Sequence, residues 1–95
     1  MQCSDNAILV GKKYFMRYVL AVLFKLFVEH CNTVKIRALG KNIARAVLTA
    51  TSAQFLLREL SVARVDIGTV SFITEGRLRN VSSIEIELRI RDYIP

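Results

Sequence analysis

Val34-Lys35-Ile36-Arg37-Ala38-Leu39-Gly40-Lys41-Asn42-Ile43-Ala44-Arg45-Ala46-Val47 changes its periodicity at a single glycine. Before Gly40, Val34 and Ile36 alternate with Lys35 and Arg37, the pattern of a strand with one buried face. After it, Ile43, Val47, Ala50 and Leu57, joined by Ala46, Ala53 and Leu60, mark the broad apolar face of a helix expected over residues 42–60. The same order occurs once earlier. Val10-Gly11-Lys12 leads to Arg17-Tyr18-Val19-Leu20 as Leu39-Gly40-Lys41 leads to Arg45-Ala46-Val47-Leu48. Two strand–helix units in series predict parallel strands joined by right-handed crossovers, with both helices on one face of a sheet.

Working outward, the apolar run Ala7–Val10 predicts the first strand. Phe15, Val19, Leu23 and Phe27, with Met16, Leu20 and Leu26, predict a helix over 14–30. Its polar stripe of Arg17, Lys25 and Glu29 is narrow, which implies burial over most of its circumference. A second strand is expected over 33–39. The last third reads as a long hairpin, Val62–Thr74 and Arg79–Arg91, turning at Glu75-Gly76-Arg77. In its second strand Ile84, Ile86, Leu88 and Ile90 alternate with Glu85, Glu87, Arg89 and Arg91, as in an antiparallel strand with one wet face. In its first strand Val65 and Ile67 have the opposite parity to Val70 and Phe72, so a β-bulge is expected at Gly68-Thr69. The fold class is therefore α+β, a two-layer β-α-β-α-β-β sandwich with a mixed four-stranded sheet. Residues 1–6 form a short polar N-terminal tail, 7–95 a single domain, and about 62–91 its protruding hairpin.

The formal charge is +6, and all of the excess lies in the first half. Lys12, Lys13, Arg17, Lys25, Lys35, Arg37, Lys41 and Arg45 face only Asp5 and Glu29 there, while the second half is balanced. A one-sided excess implies a basic surface that attracts polyanions, either nucleic acid or an anionic membrane. Against the membrane, the apolar segment 14–28 contains Arg17 and Lys25, and its longest uncharged run, Tyr18–Phe24, falls far short of the ~20 residues of a span. The polar opening residues 1–6 do not resemble a secretion signal, so a cytoplasmic protein is expected. Cys3, in an expected frayed tail, and Cys31 make no disulfide framework, and neither they nor His30 have the spacing of a metal site. Both are expected as structural or incidental thiols.

If the first two strands are parallel neighbours, their Gly-Lys junctions share one sheet edge beyond the carboxyl ends of the strands, where open sheets bind ligands. Lys12, Lys13, Arg17, Lys41, Asn42 and Arg45 then occupy one neighbourhood, beside unpaired N–H groups at two helix N-termini that suit phosphate oxygens. Neither junction is a P-loop, because the Gly five residues earlier and the Ser or Thr after the lysine are missing. A polymer backbone fits better than a nucleotide. The hairpin tip adds Arg77, Arg79 and Asn80, residue types that β-ribbons place in a DNA groove. No nucleophile–base pattern accompanies His30, so neither catalysis nor a small-molecule substrate nor a cofactor is expected. Phe55 and Leu56 widen the second helix's apolar surface beyond what one sheet covers, which implies a homodimer.

Three motifs together resemble the Alba family of archaeal chromatin proteins. They are Ile8-Leu9-Val10-Gly11-Lys12-Lys13 followed by Met16 and Tyr18-Val19-Leu20-Ala21; Ile36-Arg37-Ala38-Leu39-Gly40-Lys41-Asn42-Ile43-Ala44-Arg45-Ala46-Val47; and Val81-Ser82-Ser83-Ile84-Glu85-Ile86. The resemblance covers about residues 7–91 and implies a fold like the C-terminal domain of translation initiation factor three. It also implies a homodimer that binds double-stranded DNA and RNA with little sequence preference and associates with the chromosome. Lys12 and Lys13 match the family's central lysine pair, with Lys12 at the position linked to acetylation; Lys41 matches a DNA-contacting position, and Arg77 and Arg79 lie in the matching arm. Tyr14 stands where the family often has Pro, and Leu39 where many members have another basic residue. The second departure removes one charge per subunit, as in divergent paralogues that form heterodimers with a major paralogue.

Overall fold

Isoleucine and leucine at every second position make the last strand the spine of the sheet. The computed structural model describes residues 3–91, so the final four residues of the expected domain lie outside the described residues. In chain order they form β1 (Ala7–Leu9), α1 (Phe15–Phe27), β2 (Thr33–Leu39), a single 3-10 turn (Gly40–Asn42), α2 (Ile43–Leu56), β3 (Leu60–Thr74) and β4 (Arg77–Ile90). The sheet order is β1-β2-β4-β3, with β1 parallel to β2 and β4 antiparallel to both its neighbours. This is the mixed α+β sandwich expected.

Ile8, Val10, Val34, Ile36, Ala38, Ile86 and Leu88 bury one sheet face against Val19, Val22 and Leu26 of α1 and Ala46, Ala50 and Ala53 of α2. Each large side chain in this core contributes roughly 1.5–3 kcal/mol by burial. The small residues of α2 let it lie close to its neighbours. Thr49 shares that face, with its hydroxyl donating to the Arg45 carbonyl at 2.8 Å, so its polar atom is satisfied inside the core.

Several boundaries and faces differ from expectation. α2 ends at Leu56 because Leu57 is extended and Leu60 is drawn into the sheet, buried opposite Ile90. Its inner stripe is 46, 49, 50 and 53; Val47 points out and is half-exposed. α1 is not enclosed: Leu20, Phe24 and Phe27 lie on its exposed side. It also stops three residues early, where His30 takes a left-handed conformation and the Cys31 N–H returns to the Lys25 carbonyl. The turn of the hairpin is the two residues Glu75 and Gly76, both with positive φ, which matches the right-handed twist of the strands it joins. Arg77 is already in β4.

The bulge is real but lies elsewhere. Pairing shifts by one residue between Val62 and Arg64 and is regular from there through Gly68 and Thr69 to the tip. Leu60 and Val62 must face the same side as Val65 and Ile67, since all four oppose the buried row of β4, and only an extra residue at Ala63 reconciles their parity. Beyond the body, Val70 and Phe72 simply face the other way, because no helix lies over the ribbon there. The ribbon draws the molecule out to 56 × 23 × 22 Å.

Cys3 and Cys31, expected as separate thiols, form a disulfide. The segment before β1 is tied down: the Lys35 N–H donates to the Asn6 carbonyl, Asn6 Nδ2 donates to Thr33 Oγ1, and Lys25 Nζ donates to the Asp5 carbonyl at 2.7 Å. These contacts bring Cys3 to the end of α1, where Cys31 is buried. Closing a loop of sequence separation 28 stabilises the fold by about 3–4 kcal/mol in the chain-entropy description.

Candidate nucleic-acid interface

Because β1 and β2 run parallel, with Leu9 opposite Arg37, both chains leave the sheet at the same edge. The two Gly-Lys junctions meet there. Lys12, Lys13, Lys41 and Arg45 line one cleft of about 420 Å³, together with Tyr14, Phe15 and Leu48. Asn42 joins Lys12 and Lys13 in an adjoining cleft bounded by Leu9, Tyr18 and Leu39. Arg17 lies exposed on the first turn of α1 and lines neither cleft.

The junctions are linked by hydrogen bonds as well as by proximity. Arg45 Nη1 donates to the Gly11 carbonyl at 2.7 Å and to Asn42 Oδ1 at 3.2 Å. One side chain on α2 thus spans from the first junction to the second. The Tyr18 hydroxyl accepts the N–H groups of Gly11 and Lys13 at 3.0 and 3.2 Å. Two N–H groups expected to be open to an anion are therefore occupied, while among the described residues the Lys12 N–H has no partner. Neither helix has a side-chain cap or an acidic residue in its first turn, so both N-termini keep their partial positive charge uncompensated.

Gly40 explains why the second junction needs its glycine. Its φ is +55°, and a Cβ there would meet Val81 Cγ1 at 3.1 Å, so a larger residue would be strained in its backbone and tight against its neighbour. At the far end of the ribbon Arg77 and Arg79 line a depression with Thr74, Glu75 and Leu78, remote from the lysine clefts. Asn80 is fixed by Ser71, whose hydroxyl donates to its Oδ1 at 2.6 Å. The expected residues thus form two groups, one on the body and one at the tip, with Arg17 outside both.

Ion pairing sorts the cations further. Lys25 pairs with Glu29, Arg37 with Glu85, Arg64 with Asp66 and Arg89 with Glu87. Among the described residues none of these bridges reaches Lys12, Lys13, Arg17, Lys41, Arg45, Arg77 or Arg79. Four cations of the sheet and the back of α1 are thus paired, while Lys35 and Arg58, like the cations of the junction edge and the ribbon tip, take part in no ion pair among the described residues. Sequence inspection missed Tyr18 as a side chain that braces the first junction; the signal was a phenol one turn into a helix whose neighbours on that side are apolar, placed to reach back over the preceding loop.

No family model matches the chain. It is 42% identical over 88 residues to the DNA/RNA-binding protein Alba of Methanocella arvoryzae, covering 90% of this chain and 91% of that one. It is 38% identical over 92 residues to the DNA/RNA-binding protein Alba of Nitrosopumilus maritimus, covering 90% and 92%. Among solved structures, Alba from Thermoplasma volcanium superposes with a TM-score of 0.82 at 38% identity, over 88% of this chain and 99% of that one.

Proposed function

The chain belongs to the Alba family, and from that premise we propose that it is a binding protein without catalytic activity that grips double-stranded DNA, and RNA as well, by its phosphates and without sequence preference. In this reading it acts as a homodimer that coats and compacts DNA on the chromosome. The observation that carries it is the convergence of cations at one sheet edge: Lys12, Lys13, Lys41 and Arg45 line a single cleft, and among the described residues no carboxylate pairs with them or with Arg77 and Arg79. Unpaired cations on a convergent edge are what a polyanion requires.

Lys12 and Lys13 carry most of the grip, with Lys41 beside them and the helix N-termini adding partial charge. Arg77, Arg79 and Asn80 enter the minor groove, and the ribbon's length gives them reach. Acetylation of Lys12 would remove a charge from the centre of the cleft and weaken binding. The dimer is supported by the apolar surface left uncovered: Val47, Leu48 and Phe55 outside α2, and Val65 and Ile67 on the part of β3 that α2 does not overlie, Ile67 being 82% exposed. Such a surface costs free energy in water until a second copy covers it.

Salt dependence tests the reading. If a dimer neutralises ~6 phosphates, log affinity falls against log salt with a slope near −5, equally for unrelated duplexes. An affinity independent of salt, or one confined to a single sequence, would overturn it.

A further inference from the structure

Tyr18 sits where the two junctions meet, yet its chemistry is not accounted for by packing. Its ring is half-buried at the start of α1, and its hydroxyl oxygen accepts two backbone N–H groups from one three-residue loop, Gly11 and Lys13. A phenol offers one proton and about two lone pairs. Those two bonds use the acceptors and leave the O–H as a donor, for which the described residues supply no acceptor. The cleft it borders, about 430 Å³, is lined by Lys12, Lys13 and Asn42 with apolar walls from Leu9 and Leu39, and holds no carboxylate. A neutral donor bordering a cleft lined by two lysines, with no acceptor bonded to it among the described residues, suits an anionic oxygen.

Resting on the functional reading above, we infer that Tyr18 is the positioning residue of the lysine loop and that its O–H donates to a phosphate oxygen of the bound nucleic acid. By holding the amides on either side of Lys12, the hydroxyl fixes the turn that carries Lys12. Arg45 fixes the same loop from the opposite side through the Gly11 carbonyl, so the loop is held at its donors by α1 and at its acceptor by α2. Ordering the loop before binding removes an entropy cost from association, and the effect is independent of how many counterions are released.

The discriminating variant is Tyr18→Phe, which keeps the ring and removes only the hydroxyl. Affinity for a 20-base-pair duplex is measured from low to moderate salt for the full chain, Tyr18→Phe and Lys12→Ala. The expected result for Tyr18→Phe is a drop of about 5–10-fold at every salt concentration with an unchanged slope, since a neutral donor carries no counterion. Lys12→Ala flattens the slope instead, a signature that a merely structural loss would not separate. If the unmodified chain binds with a steep slope and Tyr18→Phe superposes on it, the inference fails and the functional reading stands. If the unmodified chain does not bind, both fail. Amide exchange in the unmodified chain decides the positioning role even if the variant does not fold: Gly11 and Lys13 should exchange slowly and Lys12 fast, and equal rates for all three overturn it.

Discussion

The junction edge and the ribbon tip present the same kinds of side chain on opposite kinds of support. At the edge, Lys12, Lys13 and Lys41 stand on loops anchored by a packed core, a left-handed glycine set close against Val81, and hydrogen bonds from two helices. At the tip, Arg77 and Arg79 stand on the outer ends of β3 and β4, which beyond Ser83 pair only with each other, with no buried residue between Ser61 and Glu85. The difference is one of preorganisation. The edge presents charge at fixed positions and the tip presents charge at the end of a lever, so the edge should dominate affinity and the tip should adapt to the groove it meets.

The largest effect expected from this contrast is on stability. Ile36→Ala, in the body, should cost about 2–5 kcal/mol, whereas Phe72→Ala, on the half-exposed ribbon, should cost about 1 kcal/mol or less; urea denaturation of the two variants side by side measures this. Equal losses would mean that the ribbon has a core of its own, contributed by a partner. Next comes affinity. Replacing Lys12 and Lys13 together by alanine should weaken duplex binding by roughly thirtyfold near 0.1 M salt and flatten the salt slope by about 2 per subunit, as read by fluorescence anisotropy. An unchanged slope would move the grip off the edge.

The two left-handed glycines sharpen the same contrast on a smaller scale. Gly40→Ala meets both an unfavourable φ and Val81, and should cost about 2 kcal/mol in thermal denaturation. Gly76→Ala, with the same sign of φ but open space around it, should cost about 1 kcal/mol. Smallest is the change at the tip itself. Arg77→Ala with Arg79→Ala should weaken binding only about three- to fivefold, and less on bent or single-stranded ligands than on a straight duplex, in the same anisotropy assay. A loss as large as that of the lysine pair would reverse the ranking of the two regions.

How much of this was legible in the chain itself follows the same divide. β4 could be read residue by residue, because a strand buried on one side must alternate, and the two Gly-Lys junctions could be placed at one edge because parallel crossovers have a fixed hand. The lysine cluster followed from those two facts alone. What stayed hidden depended on partners far away in sequence. Ala63 becomes the bulge only once Val62 and Val65 are set against β4, and Val70 and Phe72, taken as its sign, turn outward for want of a helix above them. Thr49 enters the core through a bond to its own helix, which no apolar pattern announces. Leu20, Phe24 and Phe27 follow helical spacing as well as any buried residue does, yet face solvent, since periodicity gives a stripe and not what covers it. Arg45 and Tyr18 show the same gap at the site: composition marks one as a cation and the other as apolar, and geometry makes both of them braces.

The bond between Cys3 and Cys31 has a topological consequence for the edge. Residues 3–31 are a closed macrocycle, and the loop bearing Lys12 and Lys13 lies on its circumference rather than on an open strand of chain. A protease that cuts after either exposed lysine opens the ring without releasing a fragment, and the two new ends stay joined through the sulfurs. The cut protein should therefore run at full mass until a reductant is added, with Gly11 still paired through Arg45 to the helix behind it.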